Sequence, residues 1–338
     1  MKGIRCAIVV VGTVSILCAK PALAQKVKLR GTYEFEEAPF ALAFNPDDKL
    51  LAVGGSAIPG NGIIWLRDLT TGKDKIVFAE ATRVHSIAFH PNGRWLASAT
   101  ESGTTSIWNV STGRQEHALP GDKYESISKI AFSANGKLLA SAGGGVNLQG
   151  LQYGFVRLWD ATTFKEIVTL RAGKSALSMV FSRDSSLLLS GDEDGRVRIW
   201  DVATRKENHI INAYARSVGE MAVSPDDKLL ALRGIDVEGA EFSTVSLWDL
   251  AKGKKISTLE RHNDTQVTSL AFSPDGKLLA SGGADDRVRL WNTGTAKEIT
   301  TIKADGSAIV FSHDGKLLAL DQGYSVKVWQ VPSSKPVP

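Results

Sequence analysis

Six histidines are the first candidates for chemistry in this 338-residue chain: His85, His90, His117, His209, His262 and His313. Imidazole is the side chain that most readily moves protons or holds a metal near neutral pH. Here the six are scattered, with no H-E-x-x-H and no other short metal-binding spacing. His90 and His313 fall in turns where the equivalent positions hold Ser or Asn, so both are expected to be solvated turn residues. Asp192-Glu193-Asp194-Gly195 has the acidity of a cation loop, but lacks the ligand spacing and terminal Glu of an EF-hand, and reads as a tight turn between strands. Gly143–Gly145 opens no helix with a G-x-G-x-x-G pattern and is read as a flexible loop. There is no G-x-S-x-G elbow and no phosphate-binding Walker loop. No catalytic residue, metal or cofactor is expected.

The elements around these residues repeat. The stretch AFSPDGKLLASGG (Ala271–Gly283) recurs as AFNPDDKLLA at Phe44, AFHPNGRWLA at Phe89, AFSANGKLLA at Phe132, VFSRDSSLLL at Phe181, AVSPDDKLLA at Val223 and VFSHDGKLLA at Phe311. Counting Phe272, that makes seven copies, 39 to 49 residues apart, with no helical pattern between them. In each copy an apolar strand ends at the aromatic column and a Pro/Asp/Asn/Gly turn reverses the chain. A second strand follows, and then a third that carries Trp108, Trp159, Trp200, Trp248, Trp291 or Trp329. A more polar fourth strand, such as KKISTL or KEITTI, completes the unit. Four strands at this period predict an all-β propeller of seven four-stranded antiparallel blades.

These residues resemble the WD-repeat (WD40) β-propellers, over the whole chain after residue 24. Only Trp159-Asp160, Trp200-Asp201 and Trp248-Asp249 are literal Trp-Asp pairs, and Arg67 stands in the tryptophan column of the first repeat. The resemblance implies a stabilising tetrad of His, Ser or Thr, Asp and Trp. It is complete only in the sixth repeat, as His262, Ser281, Asp285 and Trp291; the fourth keeps Ser190, Asp194 and Trp200. Most blades are therefore expected to rely on packing. The resemblance also implies that the N-terminal strand, residues 26–35, completes blade 7. The expected organisation is a signal peptide over 1–24 and a single propeller over 25–338, with blades at 36–80, 81–121, 122–173, 174–214, 215–262, 263–304 and 305–332.

The distance from the aromatic column to the tryptophan column is 18 or 19 residues in four repeats, but 23, 27 and 25 in repeats 1, 3 and 5. The surplus lies between second and third strands, in Gly54–Gly62, Gly143–Gly154 and Arg233–Ser243. In propellers of this family such loops share a face with the connections between blades, so that face is the expected binding face. Its candidate contacts are Ile58, Leu148, Leu151, Tyr153, Phe155, Arg233, Ile235, Val237 and Phe242, although Phe155 and Phe242 also read as extensions of third strands. Four residues before the aromatic column stand Phe40, His85, Ser128, Leu177, Gly219, Thr268 and Ser307, expected to ring the channel mouth. Their mixed, mostly neutral chemistry argues against a strongly charged ligand.

The N-terminus is basic at Lys2 and Arg5, runs apolar from Cys6 to Ala19, and ends in Ala22-Leu23-Ala24, which predicts export and cleavage before Gln25. This segment holds three of the 40 basic residues and none of the 36 acidic ones, so its loss lowers the net charge from +4 to +1. Cys6 and Cys18 leave with it, so no disulfide is expected. Neither nucleic acid nor a membrane is an expected partner of the cleaved chain: Arg157 and Arg198 alternate along strands without an aromatic stacking platform. The junction reads as bacterial in type. The expectation is an exported, periplasmic or secreted, monomeric scaffold that binds protein through the loop-bearing face. The alternatives are a propeller-based hydrolase or lyase, marked by convergent acids and histidines at the channel mouth, and a small-molecule or glycan binder, marked by exposed tryptophans.

Overall fold

Seven four-stranded antiparallel sheets follow one another along the chain in the computed structural model, which describes residues 27–57, 60–122, 124–235, 243–259 and 266–331. Residues 1–26, on which the expected signal peptide falls, and Ile58, Val237, Phe242 and His262 lie outside the described residues. The innermost strands are Pro39–Phe44, Val84–Phe89, Glu125–Phe132, Ala176–Phe181, Arg216–Val223, Val267–Phe272 and Ile309–Phe311. Each touches the next, and the last touches the first, so the sheets close into a ring. The burial of each strand follows its place in the blade. The second strand of blade 4, LLLSGD, is buried almost throughout, because both faces of its sheet meet a neighbouring blade, whereas the fourth strand, KENHIIN, is mostly exposed.

Six sheets are built from consecutive strands and one is not. Lys28–Glu34 pairs with Ser325–Gln330, which pairs with Leu317–Gln322 and through it with Ile309–Phe311. The N-terminal strand thus completes blade 7 and covers an edge that would otherwise be open. Seven clusters of buried apolar side chains fill the seven seams between adjacent blades. Leu189, Val197 and Ile199 of blade 4, for example, pack on Val218, Leu230 and Leu232 of blade 5. The seam between blades 7 and 1 is filled by Phe35, Phe44, Val53, Trp65, Val326 and Val328.

A second ring joins the blades on the face opposite the long loops. Each turn between first and second strands places one residue at positive φ: Asp48, Gly93, Gly136, Ser185, Asp227, Gly276 and Gly315, with φ between 56° and 72°. Four are glycine, which adopts that conformation without penalty. The other three use their side chains. Asp48 carboxylate oxygens accept from the backbone N–H groups of His313 and Asp314 at 2.8 and 2.9 Å. Asp227 accepts likewise from Arg183 and Asp184 at 2.6 and 3.0 Å, and Ser185 Oγ from Asn135 N at 3.2 Å. Each of these bonds crosses to a neighbouring blade. Pro46, Pro225 and Pro274 lie against Gly93, Gly276 and Gly315 of the following turns.

His90 belongs to this ring, and this corrects its reading as a solvated turn residue. It is buried, its Nδ1 accepts from Asn92 N at 3.0 Å, and its Nε2 lies 2.9 Å from the Gly136 carbonyl of the next blade. With Nδ1 accepting, Nε2 is the protonated nitrogen. His313 is the exposed one, its Nδ1 2.9 Å from Asp48. Asp48→Ala removes these acceptors and places a Cβ residue with no compensating bond at positive φ. The expected loss, read by urea denaturation, is about 2 kcal/mol, and less for Asp48→Gly.

Candidate protein-binding face

The surplus residues of blades 1 and 3 lengthen strands instead of forming loose loops. In blade 1, Leu50–Ala57 pairs with Asn61–Asp68 out to Ala57 and Asn61. In blade 3, Leu138–Val146 pairs with Gln152–Asp160 without interruption from Leu138↔Asp160 to Val146↔Gln152. Gly143–Gly145 are therefore strand residues, which corrects their reading as a flexible loop. The physical reason is close packing: a Cβ on Gly143 would stand 2.0 Å from the Ser126 carbonyl, and one on Gly144 would stand 2.5 Å from Ser175 Oγ. Asn147 closes the hairpin tip. Its Oδ1 accepts from Gln149 N and Leu151 N at 3.0 and 2.9 Å, and Gly150 takes a φ of 77°.

This ordered hairpin carries apolar side chains into solvent. Leu148 is 92% exposed, Leu151 64%, and Val146 43%; Tyr124, whose carbonyl accepts from Val146 N, is 58% exposed. An ion pair beneath them holds the hairpin. Arg157 meets Glu125 through two parallel contacts, NH1 to Oε2 at 2.6 Å and NH2 to Oε1 at 2.8 Å, with both side chains largely buried. Tyr153 donates its hydroxyl to the same carboxylate at 3.0 Å, and Asp122 N donates at 3.0 Å. Burial raises the Glu125 carboxyl, but these donors outweigh it and hold the group below its ordinary value. Burial and the Glu125 contact push the Tyr153 phenol up. Phe155 is core: it is 1% exposed and packs with Ile107, Ile127 and Trp159, so it is unavailable to a partner. The third long connection is described only as far as Ile235 and again from Ser243.

The predicted axial ring has a backbone cause that spacing alone does not show. In blades 1 to 6 the pairing of first and second strands skips Phe40, His85, Ser128, Leu177, Gly219 or Thr268, and blade 5 skips Ser217 as well. Each is the extra residue of a β-bulge, a device that re-aims one side chain out of the pleat. All six are partly exposed, and Ser307 of blade 7 is exposed. Phe40 lies under the Arg83 guanidinium, 4.0 Å from its ring centroid.

The expectation of a neutral channel mouth is corrected by the next column. In blades 2, 4 and 6 the residue after the bulge is Ser86, Ser178 or Ser269, and each hydrogen-bonds to the backbone of the following blade. In blades 3 and 5 it is Lys129 and Glu220. Lys129 Nζ reaches past blade 4 to both Glu220 oxygens, at 2.8 and 3.0 Å. Opposite Glu220 on the second strand of blade 5 stands Arg233. Burial lowers its pKa against the opposing pull of Glu220.

Five of the column tryptophans donate their indole N–H to a serine, which corrects the expectation that most blades rely on packing alone. The pairs are Trp108–Ser98 at 2.8 Å, Trp159–Ser141 at 3.2 Å, Trp200–Ser190 at 3.1 Å, Trp248–Ser246 at 2.7 Å and Trp291–Ser281 at 2.8 Å. Two blades use substitutes that motif matching misses. For blade 2 the Glu80 carboxylate, at the end of the fourth strand of blade 1, accepts from Ser98, from Ser106 at 3.2 Å and from Trp108 at 3.3 Å, and burial pushes its carboxyl up against those donors. For blade 5 the hydroxyl of Tyr214, in the connection from blade 4, lies 2.6 Å from Ser246 Oγ. Asp285 of the expected tetrad accepts from Arg289 NH1 at 2.8 Å. In blade 7, Leu320 takes the serine column, and Trp329 Nε1 is buried with no hydrogen-bond partner among the described residues. None of the eight tryptophans, all of them described, is exposed. Among the described residues no three His, Cys, Asp or Glu side chains are grouped to hold a metal.

This architecture of aromatic-turn hairpins, a tryptophan column and seven sheets closed by the N-terminal strand defines a class, the repeat-built β-propeller. Residues 72–109, 113–160, 164–201 and 253–292 match the family described as WD domain, G-beta repeat, so these four stretches are WD40 repeats. The first match begins just before the fourth strand of blade 1 and ends with the third strand of blade 2, a phase that leaves the N-terminal strand to close the ring. The chain is 25% identical over 300 residues to "Protein tipD" of Dictyostelium discoideum, covering 87% of this chain and 46% of that protein. It is 25% identical over 286 residues to "WD repeat-containing protein 1" of Bos taurus, covering 81% and 44%. It is 24% identical over 234 residues to "Serine-threonine kinase receptor-associated protein" of Gallus gallus, covering 69% and 61%. The chain thus spans less than two thirds of the length of each. These relatives are eukaryotic, and the expected bacterial type finds no support among them.

Proposed function

We propose that this protein is an exported, monomeric, non-enzymatic scaffold that binds another protein through the face carrying the long connections of blades 1, 3 and 5. The observation that carries the reading is the blade 3 hairpin. Four apolar side chains, Tyr124, Val146, Leu148 and Leu151, project into water from a backbone held by a full strand ladder and a buried ion pair. Ordered exposed apolar groups beside polar ones are what a protein interface uses for its anchors, since little conformational entropy is lost on docking. WD40 relatives generally bind proteins, which supports the same role here. Export rests on the basic, apolar and Ala-Leu-Ala order of residues 2–24, and N-terminal sequencing of the purified native protein tests it by finding Gln25 or Met1 first.

The test of the binding face uses Leu148→Asp and Leu151→Asp together. Both side chains are more than half exposed, so the melting temperature is expected to stay within about 2 °C of the parent. In affinity capture from envelope and secreted fractions, a protein held by the parent is expected to be lost by the double variant. Equal capture by both would move the site to the opposite face or the rim.

A further inference from the structure

We infer that Arg233 is the receptor for a single carboxylate at the axial mouth of the loop-bearing face. The guanidinium stands where a ring side chain would otherwise be. Gly219 is a bulge residue of blade 5 and has no side chain of its own; a Cβ built there would fall 1.6 Å from Arg233 NH1. Arg233 thus fills the blade 5 position of the axial ring from the neighbouring strand and brings a cation to a column that is otherwise neutral or carries His85.

The cation is under-partnered. Its nearest acid, the cross-strand Glu220, is held by Lys129 at 2.8 and 3.0 Å. Tyr214, in the connection from blade 4 to blade 5 beside it, directs its hydroxyl to the Leu232 carbonyl and Ser246. Among the described residues Arg233 makes one hydrogen bond, NH2 to Gln266 Oε1 at 3.3 Å, and its buried Nε has no partner. A guanidinium presents five donors in a planar fork that matches a carboxylate, and leaving such donors unpaired in a partly buried site is costly. Lys129, Glu220 and Arg233 together carry one positive charge in excess, which a monoanion balances. Given that this face docks a polypeptide, the carboxylate belongs to an acidic side chain or to the chain terminus of that polypeptide.

The site can be read without the partner, so its failure and that of the proposed face are separable. The probes are N-acetyl-glutamate amide, N-acetyl-glycine, the neutral N-acetyl-glutamine amide and inorganic phosphate, at matched ionic strength. The readout is the Arg233 Nε–Hε resonance of the full chain labelled with 15N-arginine, assigned by its loss in Arg233→Met. A saturable shift with a carboxylate probe is expected, and the tighter of the two assigns the source as side chain or chain terminus. The glutamine probe is expected to give none. Gly219→Ala keeps the charge but displaces the fork, and is expected to weaken binding roughly tenfold or more. Lys129→Met frees Glu220 to take Arg233 internally and is expected to weaken binding as well, whereas Glu220→Gln strengthens it. These two variants keep the test decisive if Gly219→Ala fails to fold. No saturable shift, an unchanged titration in Lys129→Met and Glu220→Gln alike, or phosphate binding more tightly than either carboxylate would overturn the assignment.

Discussion

Removal of residues 26–35 is expected to abolish the cooperative melt and to send the protein into aggregates on size-exclusion chromatography. The strand Lys28–Glu34 supplies the outer partner of Ser325–Gln330, paired from Lys28↔Gln330 to Glu34↔Ser325 with one register shift between Leu29 and Gly31. Without it that strand becomes an open edge, a template for pairing with other chains. The loss also reaches the core. Phe35 is buried 4.9 Å from the Trp65 ring, and Phe35 and Tyr33 face the Arg67 guanidinium at 4.9 and 5.3 Å. Arg67 holds the blade 1 tryptophan column, and its fork is also fixed to Asp74 and to the Gly72 carbonyl. Deleting the strand leaves that guanidinium without its aromatic cover in the seam that closes the ring. A graded version is Phe35→Ala, expected to stay folded but to lose about 3 kcal/mol in urea denaturation, the ordinary cost of emptying a buried phenylalanine site. A deletion that melts like the parent would refute closure by this strand.

The second large effect is a pH dependence set in the same blade. Asp321 is the penultimate residue of the second strand of blade 7, is 3% exposed, and accepts from Ala308 N at 2.7 Å. Burial, aided by Asp305, raises its carboxyl from 3.8 to about 7 against the backbone donors of Ala308 and Ser307. A carboxyl whose folded pKa is raised favours the folded state while protonated. Its contribution is complete below the unfolded value near 4, fades as the pH rises through about 7, and is constant above that. The loss across this window is at most about 4 kcal/mol, from roughly three pKa units at 1.36 kcal/mol each. Asp321→Asn keeps the acceptor oxygen and cannot ionise. It is expected to be more stable than the parent at pH 8 and close to it at pH 4. Glu80 and Asp192 are also raised by burial and tilt the parent in the same sense, while Glu125, held low, tilts it in the opposite sense. The comparison between parent and variant isolates Asp321. Parallel stability curves from pH 4 to 8 would show that it titrates outside this range.

The resemblance to WD-repeat propellers implied the closing role of the N-terminal strand, whereas the repeat period, the number of blades and the turn between first and second strands were determined by the sequence alone. Each is a local pairing rule written seven times, and strand pairing within a hairpin depends on neighbours a few residues away. What only the tertiary structure decided are relations between repeats. Lys129 and Glu220 are 91 residues apart and meet because the ring brings blades 3 and 5 round one axis. Glu80 and Tyr214 serve the tryptophans of blades 2 and 5 from positions that hold no family histidine, since a buried indole donor accepts any suitably placed oxygen. Gly143–Gly145 read as slack in one dimension and are a tight contact in three. The bulges that turn Phe40, His85 and Leu177 out of the pleat are invisible as spacing, because the offset exists only relative to the paired strand.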